Sequence, residues 1–478
     1  MQAYSVQFGG GMDQTILSPV VIVIMLLAIA LMFALPRRMM VAPLLFAIFL
    51  VPQGQQLYLA PVHLFVSRIL VLAAFIVAFA VKRPQSKHML AAGWNSIDTA
   101  VVVSIVIIAV ATVIRNPNGA AIVNQVGYLW DDLLGYLVFR NLIRDERDTF
   151  LAIKCIAGLA CILATTMILE QVKLVNIFGL FGGVNVVPEI RDGKIRSQGV
   201  FQHSLTAGAF GATAIPLLIL LWKTKTAKWF SIFGLVGAGI MTYTTQTSTS
   251  LMTAVAGFVV MFMWPLRKKM KMVRIGIVIA IVGLALVMKA PIWFIIAHID
   301  LTGSSSNYQR AELIDQCVNH FSSWWLMGTN DVASWGWDMW DTQDMFVSTA
   351  ESGGLAALIL FILVISRSFS RIGKARKRAE SKKEEWFFWL LGAALFAHMV
   401  AFIGVNYFDQ SRMVWFALIS IICACTAPAL GRNANGVPAR VRVRVQVTDS
   451  DHSEEQVLQP GRFNSGAWTR SMFRTNSQ

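Results

Sequence analysis

Residues 386–428 read WFFWLLGAALFAHMVAFIGVNYFDQSRMVWFALISIICACTAP and contain two apolar runs, 386–405 and 412–428, separated by a short polar turn. The charged residues in the whole stretch are Asp409 and Arg412. A helix rises about 1.5 Å per residue, so runs of this length match a bilayer core of about 30 Å. The stretch therefore predicts two membrane-spanning helices joined by a turn, and an all-α fold.

The composition of the chain agrees with lipid as its solvent. The 478 residues are 56% hydrophobic and 14% charged, with a mean hydropathy of +0.60, whereas an ordinary globular domain has about 25% charged residues. A net charge of +15 is compatible with nucleic-acid binding. Because most Lys and Arg residues cluster in loops between apolar runs, we instead expect a polytopic membrane protein with no nucleic-acid partner.

The same analysis along the chain predicts about thirteen membrane-spanning helices. They are 15–35, 40–53, 57–81, 96–114, 119–140, 149–169, 204–222, 229–245, 249–265, 275–297, 346–366, 386–405 and 412–428. The second is short and flanked by Pro43 and Pro52, which favours a tilted or re-entrant helix. These helices form a predicted membrane domain over 1–430, and a basic, disordered cytoplasmic tail is expected over 431–478.

Alternate loops, with cations such as Arg37, Arg140 and Arg367, hold most of the 41 Lys and Arg residues. Cytoplasmic loops collect such residues, so the N-terminus is predicted outside and the C-terminus in the cytoplasm. The first apolar run ends in Pro36-Arg37-Arg38 rather than in a small-residue cleavage site, and we expect this helix to stay in the mature protein.

Two predicted external loops, 170–203 and 298–345, hold residues that are unusual for a membrane protein. Arg196 and Arg310 carry planar, permanently charged guanidinium groups, which suit a diphosphate. The same residues also fit interfacial arginines whose charged ends reach toward water.

The second loop is also rich in Trp and Asp. Trp335, Trp337 and Trp340 either stack on sugar rings or belong to the aromatic belt of the membrane interface. Asp341 and Asp344 precede the eleventh predicted helix, where a carboxylate serves either as a general base for an acceptor hydroxyl or as a helix cap.

Three charges fall inside predicted spans. Arg68 is expected near the middle of the third, and Asp131 and Asp132 near the middle of the fifth. An unpaired charge at a helix centre costs about 2.5–3.5 kcal/mol on insertion scales. We therefore predict a contact of Arg68 with Asp131 or Asp132, which is either structural or lines a cavity for a lipid-linked substrate.

Four motifs occur in order along the chain. They are R-x-x-G-x-F-x-H-x(4)-G at Arg196–Gly208, TQTSTSL at Thr245–Leu251, the Arg310 segment with its Trp-rich continuation, and E-x-G-G at Glu351–Gly354. Together they resemble the O-antigen ligase and polysaccharide polymerase family over roughly residues 130–405. The second motif resembles the family's Ser-Arg-Ser turn, with Thr249 in place of Arg.

The resemblance implies a metal-independent, cofactor-free membrane glycosyltransferase with a GT-C-like fold in the bacterial inner membrane. Such enzymes take a glycan from an undecaprenyl-diphosphate donor on the outer leaflet. They pass it to another glycan chain, as exopolysaccharide or O-antigen polymerases do, or to lipid A-core, as ligases do. A chain-length regulator and a flippase of the same pathway are the protein partners that the resemblance implies.

On matching positions, Arg196 and Arg310 are expected to bind the diphosphate. The family's ligases use a His where this chain has Thr342-Gln343, which favours a polymerase. The general base is then Asp341, Asp344 or His203, and we favour Asp341.

The alternative function is a flippase or transporter for glycans or small solutes. Transporters typically have broken helices and polar residues that converge at mid-membrane, often in repeated halves. In this sequence the unusual residues fall mainly in the two predicted external loops, which favours the enzyme.

Overall fold

The structure is a computed structural model that describes residues 14–60, 62–83, 88–225, 227–299, 306–337, 339, 341–408 and 410–431. The predicted tail over 431–478 lies outside this part of the chain, apart from Gly431. The described residues form helices and two short antiparallel β-hairpins.

The elements follow one another in two halves. The first half contains α1 (Pro19–Ala34), α2 (Val41–Leu50), β1 (Gln56–Leu59), β2 (Val62–Phe65), α3 (Val66–Ile76), α4 (Ser96–Arg115), α5 (Gly119–Leu129), α6 (Gly135–Leu142) and α7 (Glu146–Lys173). The second half contains β3 (Glu189–Arg191), β4 (Lys194–Arg196), α8 (Ser204–Lys223), α9 (Lys228–Thr244), α10 (Ser248–Phe262), α11 (Met270–Val287), α12 (Ile295–His298), α13 (Ser306–Asn319), α14 (Phe321–Trp324), α15 (Met345–Lys377), α16 (Lys382–Phe402) and α17 (Gln410–Leu430).

Within the described part of the chain, seven helices are long and apolar enough to cross a bilayer. They are Ser96–Arg115, Glu146–Lys173, Ser204–Lys223, Trp264–Val287, Met345–Lys377, Lys382–Phe402 and Gln410–Leu430. The chain is therefore an all-α membrane protein. The span Trp264–Val287, which contains α11, buries none of its apolar window against the rest of the protein, as expected for a helix that faces lipid.

The third predicted helix, 57–81, is wrong in its first half. Residues Gln56–Phe65 form the β1–β2 hairpin, and α3 begins only at Val66. Aromatic and β-branched residues suit a strand, and the Pro61 in this segment lacks the backbone donor that a helix interior needs. Arg68 consequently lies in the first turn of α3 rather than near the middle of a helix.

The fifth predicted helix, 119–140, is interrupted at its centre. A π-helical turn over Trp130–Leu134 joins α5 to α6 and contains Asp131 and Asp132. Such turns insert an extra residue into a helix and are frequent at functional sites.

Arg140 is not the cytoplasmic loop cation that the charge pattern predicted. It lies in α6, fully buried, and its guanidinium binds Asp98 of α4 at 2.6 Å and 3.0 Å. Tyr136 donates a further hydrogen bond to Asp98 at 2.6 Å. A fully buried charge requires such pairing, so this cluster holds α4 against α6.

Helix α15 is broken at Gly354, which has φ +71° and ψ −169°. Backbone groups near the break bind the segment between α12 and α15, the loop that the charge pattern predicts to be external: the N–H of Leu355 donates to the carbonyl of Trp325, and the N–H of Thr329 donates to the carbonyl of Glu351. Arg115 adds a side-chain hydrogen bond to the Glu351 carbonyl at 2.6 Å. The E-x-G-G motif is thus the place where the loop docks into the helix.

Replacing Gly354 with Ala should destabilise the protein. This backbone conformation is essentially restricted to glycine, and a Cβ atom would lie 2.7 Å from the carbonyl oxygen of Leu326. We expect the free energy of unfolding to fall by about 1–3 kcal/mol, measured as a lower thermal unfolding temperature in detergent. Gly373→Ala is the matched control, because it lies in the same helix and its added Cβ meets nothing within 4 Å. Equal unfolding temperatures for the two variants would contradict this role of the break.

Candidate functional site

Arg196 is held by the β3–β4 hairpin. Asp192 and Gly193 form its turn, both with positive φ (53° and 72°), the conformation that an Asp-Gly turn favours. The register places Glu189 directly opposite Arg196, and their side chains pair at 3.3 Å. The Arg196 residue is only 6% exposed, so the hairpin presents a fixed guanidinium rather than a flexible surface cation.

The segment after Arg196 folds onto the end of α7. The fully buried carboxylate of Glu170 accepts hydrogen bonds from the backbone N–H groups of Gln198 and Gly199. Gly199 has φ +58°, which favours glycine. These residues of the first motif therefore help to position Arg196.

The last glycine of the first motif allows α8 to approach the second motif. A Cβ atom on Gly208 would lie 2.0 Å from the side-chain oxygen of Ser250, in the first turn of α10. Thr249, which directly precedes Ser250, is buried. A Cβ atom added to Gly404 would lie within 3 Å of side-chain atoms of both Thr249 and Arg310. The position that differs from the family's Ser-Arg-Ser turn therefore lies beside Arg310.

Arg310 lies on α13 and is 4% exposed. It donates a hydrogen bond from Nη1 to the side-chain oxygen of Asn307 at 2.5 Å. Burial is the main cause that lowers the pKa of Arg310 to about 10; the charge of Arg196 acts in the same direction, and Asp344 and Asp341 oppose it. Arg310 is therefore still protonated at neutral pH, and it lies within electrostatic range of Arg196, a second buried cation from another loop.

Asp344 and Asp341 supply the opposing charge. Asp344 is 1% exposed and caps α15, accepting from the N–H groups of Phe346 at 2.7 Å and Val347 at 3.0 Å. Burial raises the pKa of Asp344 to about 7, against the opposite effects of these two hydrogen bonds and of Arg310. Asp341 is half-buried and accepts a hydrogen bond from Gln343 at 2.6 Å.

Four predicted site residues thus belong to one charged region, because Arg196, Asp341 and Asp344 all affect the pKa of Arg310. The helix-cap interpretation of Asp344 is confirmed. His203 is exposed, and its ring lies edge-on to Phe408 with centroids 6.0 Å apart.

The predicted Trp surface divides into different environments. Trp335 is buried in the small core of the external loop and stacks on His320 with ring centroids 5.5 Å apart. Trp337 is 91% exposed, so both of its faces are open. Trp340 lies outside the described residues. Trp335 therefore stabilises the loop. Trp337 has an open ring face on which a sugar ring can stack.

The predicted contact of Arg68 is present, with Asp131 as its partner at 2.9 Å. Asp132 pairs instead with Arg412, in the first turn of α17. These four residues line a cavity of about 180 Å³ between α2, α3, the π-helical turn and α17. Arg412 belongs to no motif. Its position at the start of a long apolar run nevertheless indicates that its charge requires a partner.

Two further residues were missed by the sequence interpretation. Glu170 supports the Arg196 segment, and Arg115 binds the carbonyls at the break in α15. Both are charges at the end of a predicted span, where pairing is expected. The sequence gives no indication of their partners, because these are backbone groups far away in the chain: the N–H groups of Gln198 and Gly199 for Glu170, and the carbonyls of Glu351 and Ser352 in α15 for Arg115.

Comparison with protein-family models and with curated proteins gives no match for this chain. The case for its function therefore comes from the motifs and from the geometry described above.

The buried Asp344 should make stability depend on pH. Its folded-state pKa, about 7, lies above the usual aspartate value, so the folded state binds the proton more tightly than the unfolded state. This contribution is present at low pH and is lost as the pH rises through about 7. Asn also caps helices well but does not titrate. We therefore compare the thermal unfolding temperatures of the wild type and of Asp344→Asn at each pH. As the pH rises from acidic to mildly alkaline, the unfolding temperature of the wild type should fall relative to that of the variant. A constant difference between the two proteins would contradict the raised pKa.

Proposed function

We propose that this protein is a membrane glycosyltransferase that acts on undecaprenyl-diphosphate-linked glycans. The observation that carries the proposal is the buried pair of cations, Arg196 and Arg310, contributed by two separate loops. Like charges held together out of water favour an anion that neutralises both. A diphosphate suits two guanidinium groups, each of which can donate paired hydrogen bonds to phosphate oxygens.

In the proposed reaction, the bond between the anomeric carbon of the donor sugar and the diphosphate oxygen breaks. A hydroxyl of the acceptor forms the new glycosidic bond to that carbon and loses its proton. Arg196 and Arg310 stabilise the negative charge that develops on the leaving diphosphate. This role requires fixed donors, which the β3–β4 hairpin and α13 provide.

The acceptor proton goes to a carboxylate in this proposal. Asp341 is the proposed general base, because it is the more open of the two carboxylates near Arg310. Asp344 has both capping hydrogen bonds on one oxygen and is almost fully buried. We assign Asp344 the positioning of α15 and the partial neutralisation of Arg310.

A mainly apolar cavity supports a lipid-linked donor. It measures about 90 Å³ and is lined by Ile105, Phe361 and Trp415 together with Met345, the residue that follows Asp344, and it also has a polar side that contains Asn406 and the Asp132–Arg412 pair. A prenyl chain in this cavity would leave its diphosphate near the arginines. We further propose a GT-C-like arrangement in the bacterial inner membrane, with the N-terminus outside, the C-terminus in the cytoplasm and the arginine site facing outward.

The product is either a longer glycan chain, of exopolysaccharide or O-antigen, or a glycan on lipid A-core. Thr342-Gln343, in place of the ligases' His, favours the polymerase. As pathway partners we propose a chain-length regulator and a flippase.

A transporter or flippase is the second candidate. The observation in its favour is the polar cavity lined by the Arg68–Asp131 and Arg412–Asp132 pairs, beside the interrupted helix α5–α6. In proteoliposomes with a polyprenyl-diphosphate oligosaccharide, glycan transfer identifies the enzyme. Movement of the substrate without bond formation identifies the transporter.

Removing either arginine should abolish most of the transfer. Each of Arg196→Ala and Arg310→Ala should lower the turnover rate by about 100-fold or more, as loss of one charge-stabilising donor does in other enzymes. The measurement is the rate of glycan transfer in proteoliposomes.

The matched control is Lys194→Ala, which removes an exposed cation of the same strand as Arg196. It should leave the rate within a few-fold of the wild type. Retained transfer in both arginine variants would refute the site, provided that the wild type is active.

A further inference from the structure

The 180 Å³ cavity, here called the paired-charge cavity, is electrically balanced. It is lined by two cations and two anions that pair with each other, Arg68 with Asp131 and Arg412 with Asp132. A cation or an anion bound in this cavity would therefore meet a lining with no net charge of the opposite sign. A polar but neutral ligand suits such a lining better.

Two residues that line this cavity each have a buried side-chain oxygen that accepts no hydrogen bond from the described residues. The two oxygens are Oδ1 of Asp132, which also borders the 90 Å³ cavity, and Oε1 of Gln410, and both residues are 3% exposed. The amide of Gln410 has a fixed orientation, because its Nε2 donates to the carbonyls of Ile48 and Val51, each at 2.8 Å. A buried acceptor without a donor is costly, so these atoms favour a ligand that donates hydrogen bonds.

The other lining groups complement such a ligand. The guanidinium groups of Arg68 and Arg412 are donors, and Tyr128 and Phe408 contribute aromatic surface. A sugar ring offers hydroxyl donors, hydroxyl acceptors and apolar C–H faces together. No other class of neutral ligand in the proposed reaction combines all three.

Several residues that line the paired-charge cavity follow closely in sequence after a residue that lies beside Arg310. Between α16 and α17, Gly404 lies against Arg310 and Phe408 lies on the cavity and beside His203. Gln410 and Arg412 then continue the same side of the cavity. The segment 404–412 therefore connects Arg310 with the cavity, so that a glycan long enough to follow this segment from Arg310 places another of its sugars there.

We propose that the paired-charge cavity binds a neutral sugar ring of the glycan substrate, hydrogen-bonded to Asp132 and Gln410. This proposal rests on the proposed function for the identity of the glycan, but sugar binding itself does not require catalysis.

The test is saturation-transfer NMR on the full chain in nanodiscs, without any lipid-linked donor. The probes are the free monosaccharides glucose, galactose, mannose, rhamnose and N-acetylglucosamine. Ser67→Leu fills the cavity from α3, and Asn124→Leu is a second filling variant from α5. Gly276→Leu adds the same side chain on α11, where its Cβ meets nothing within 4 Å.

We expect the wild type and Gly276→Leu to bind at least one probe, and the filling variants to bind it about tenfold more weakly or not at all. No binding by the wild type, or equal binding by folded filling variants, would overturn the proposal. Failure of the wild type to transfer glycan would refute the proposed function but would leave this binding result intact.

If transfer occurs, the filling variants also identify the source of the sugar. An increase in KM for the acceptor alone assigns the cavity to the acceptor glycan. An increase in KM for the lipid-linked donor alone assigns it to the donor.

Discussion

The break in α15 is the constraint on which the site depends. An unbroken helix would leave the external loop without its hydrogen bonds to Glu351 and Leu355. Gly354 allows the break because only glycine readily adopts its backbone conformation. The loop that docks there contains α13, and the segment that leads into α15 contains Asp341 and Asp344. Arg310 and the two carboxylates consequently belong to one docked unit.

Charge pairing organises the rest of the molecule. Asp98 with Arg140, Asp131 with Arg68 and Asp132 with Arg412 each connect helices that are distant in sequence. In a medium that solvates charges poorly, an isolated charge is costly, so such pairs restrict how the helices pack. At the arginine site Arg196 likewise has an ion-pair partner, Glu189, but the charges of Arg196 and Arg310 repel each other and Asp344 has a raised pKa. An anionic substrate would relieve that repulsion.

The sequence predicted the class of fold and most of the charged site, and the failures have physical reasons. Long apolar runs predicted helices reliably, whereas the Gln56–Phe65 hairpin was hidden in an apolar run whose period is ambiguous. Asp192-Gly193 is typical of a two-residue hairpin turn and is the local signal that indicates the β3–β4 hairpin. The burial of Arg140 and Trp335 depends on partners far away in the chain, Asp98 and His320, and no local pattern reveals such partners.

The proposed function depends most on one interaction, the binding of the diphosphate of a lipid-linked glycan by Arg196 and Arg310 together. The most direct measurement is a cryo-electron microscopy structure of the protein in nanodiscs with a bound polyprenyl-diphosphate saccharide. We expect phosphate density in contact with both guanidinium groups, and we expect the prenyl chain to extend toward Met345. A diphosphate bound elsewhere, or bound by only one of the two arginines, would contradict it.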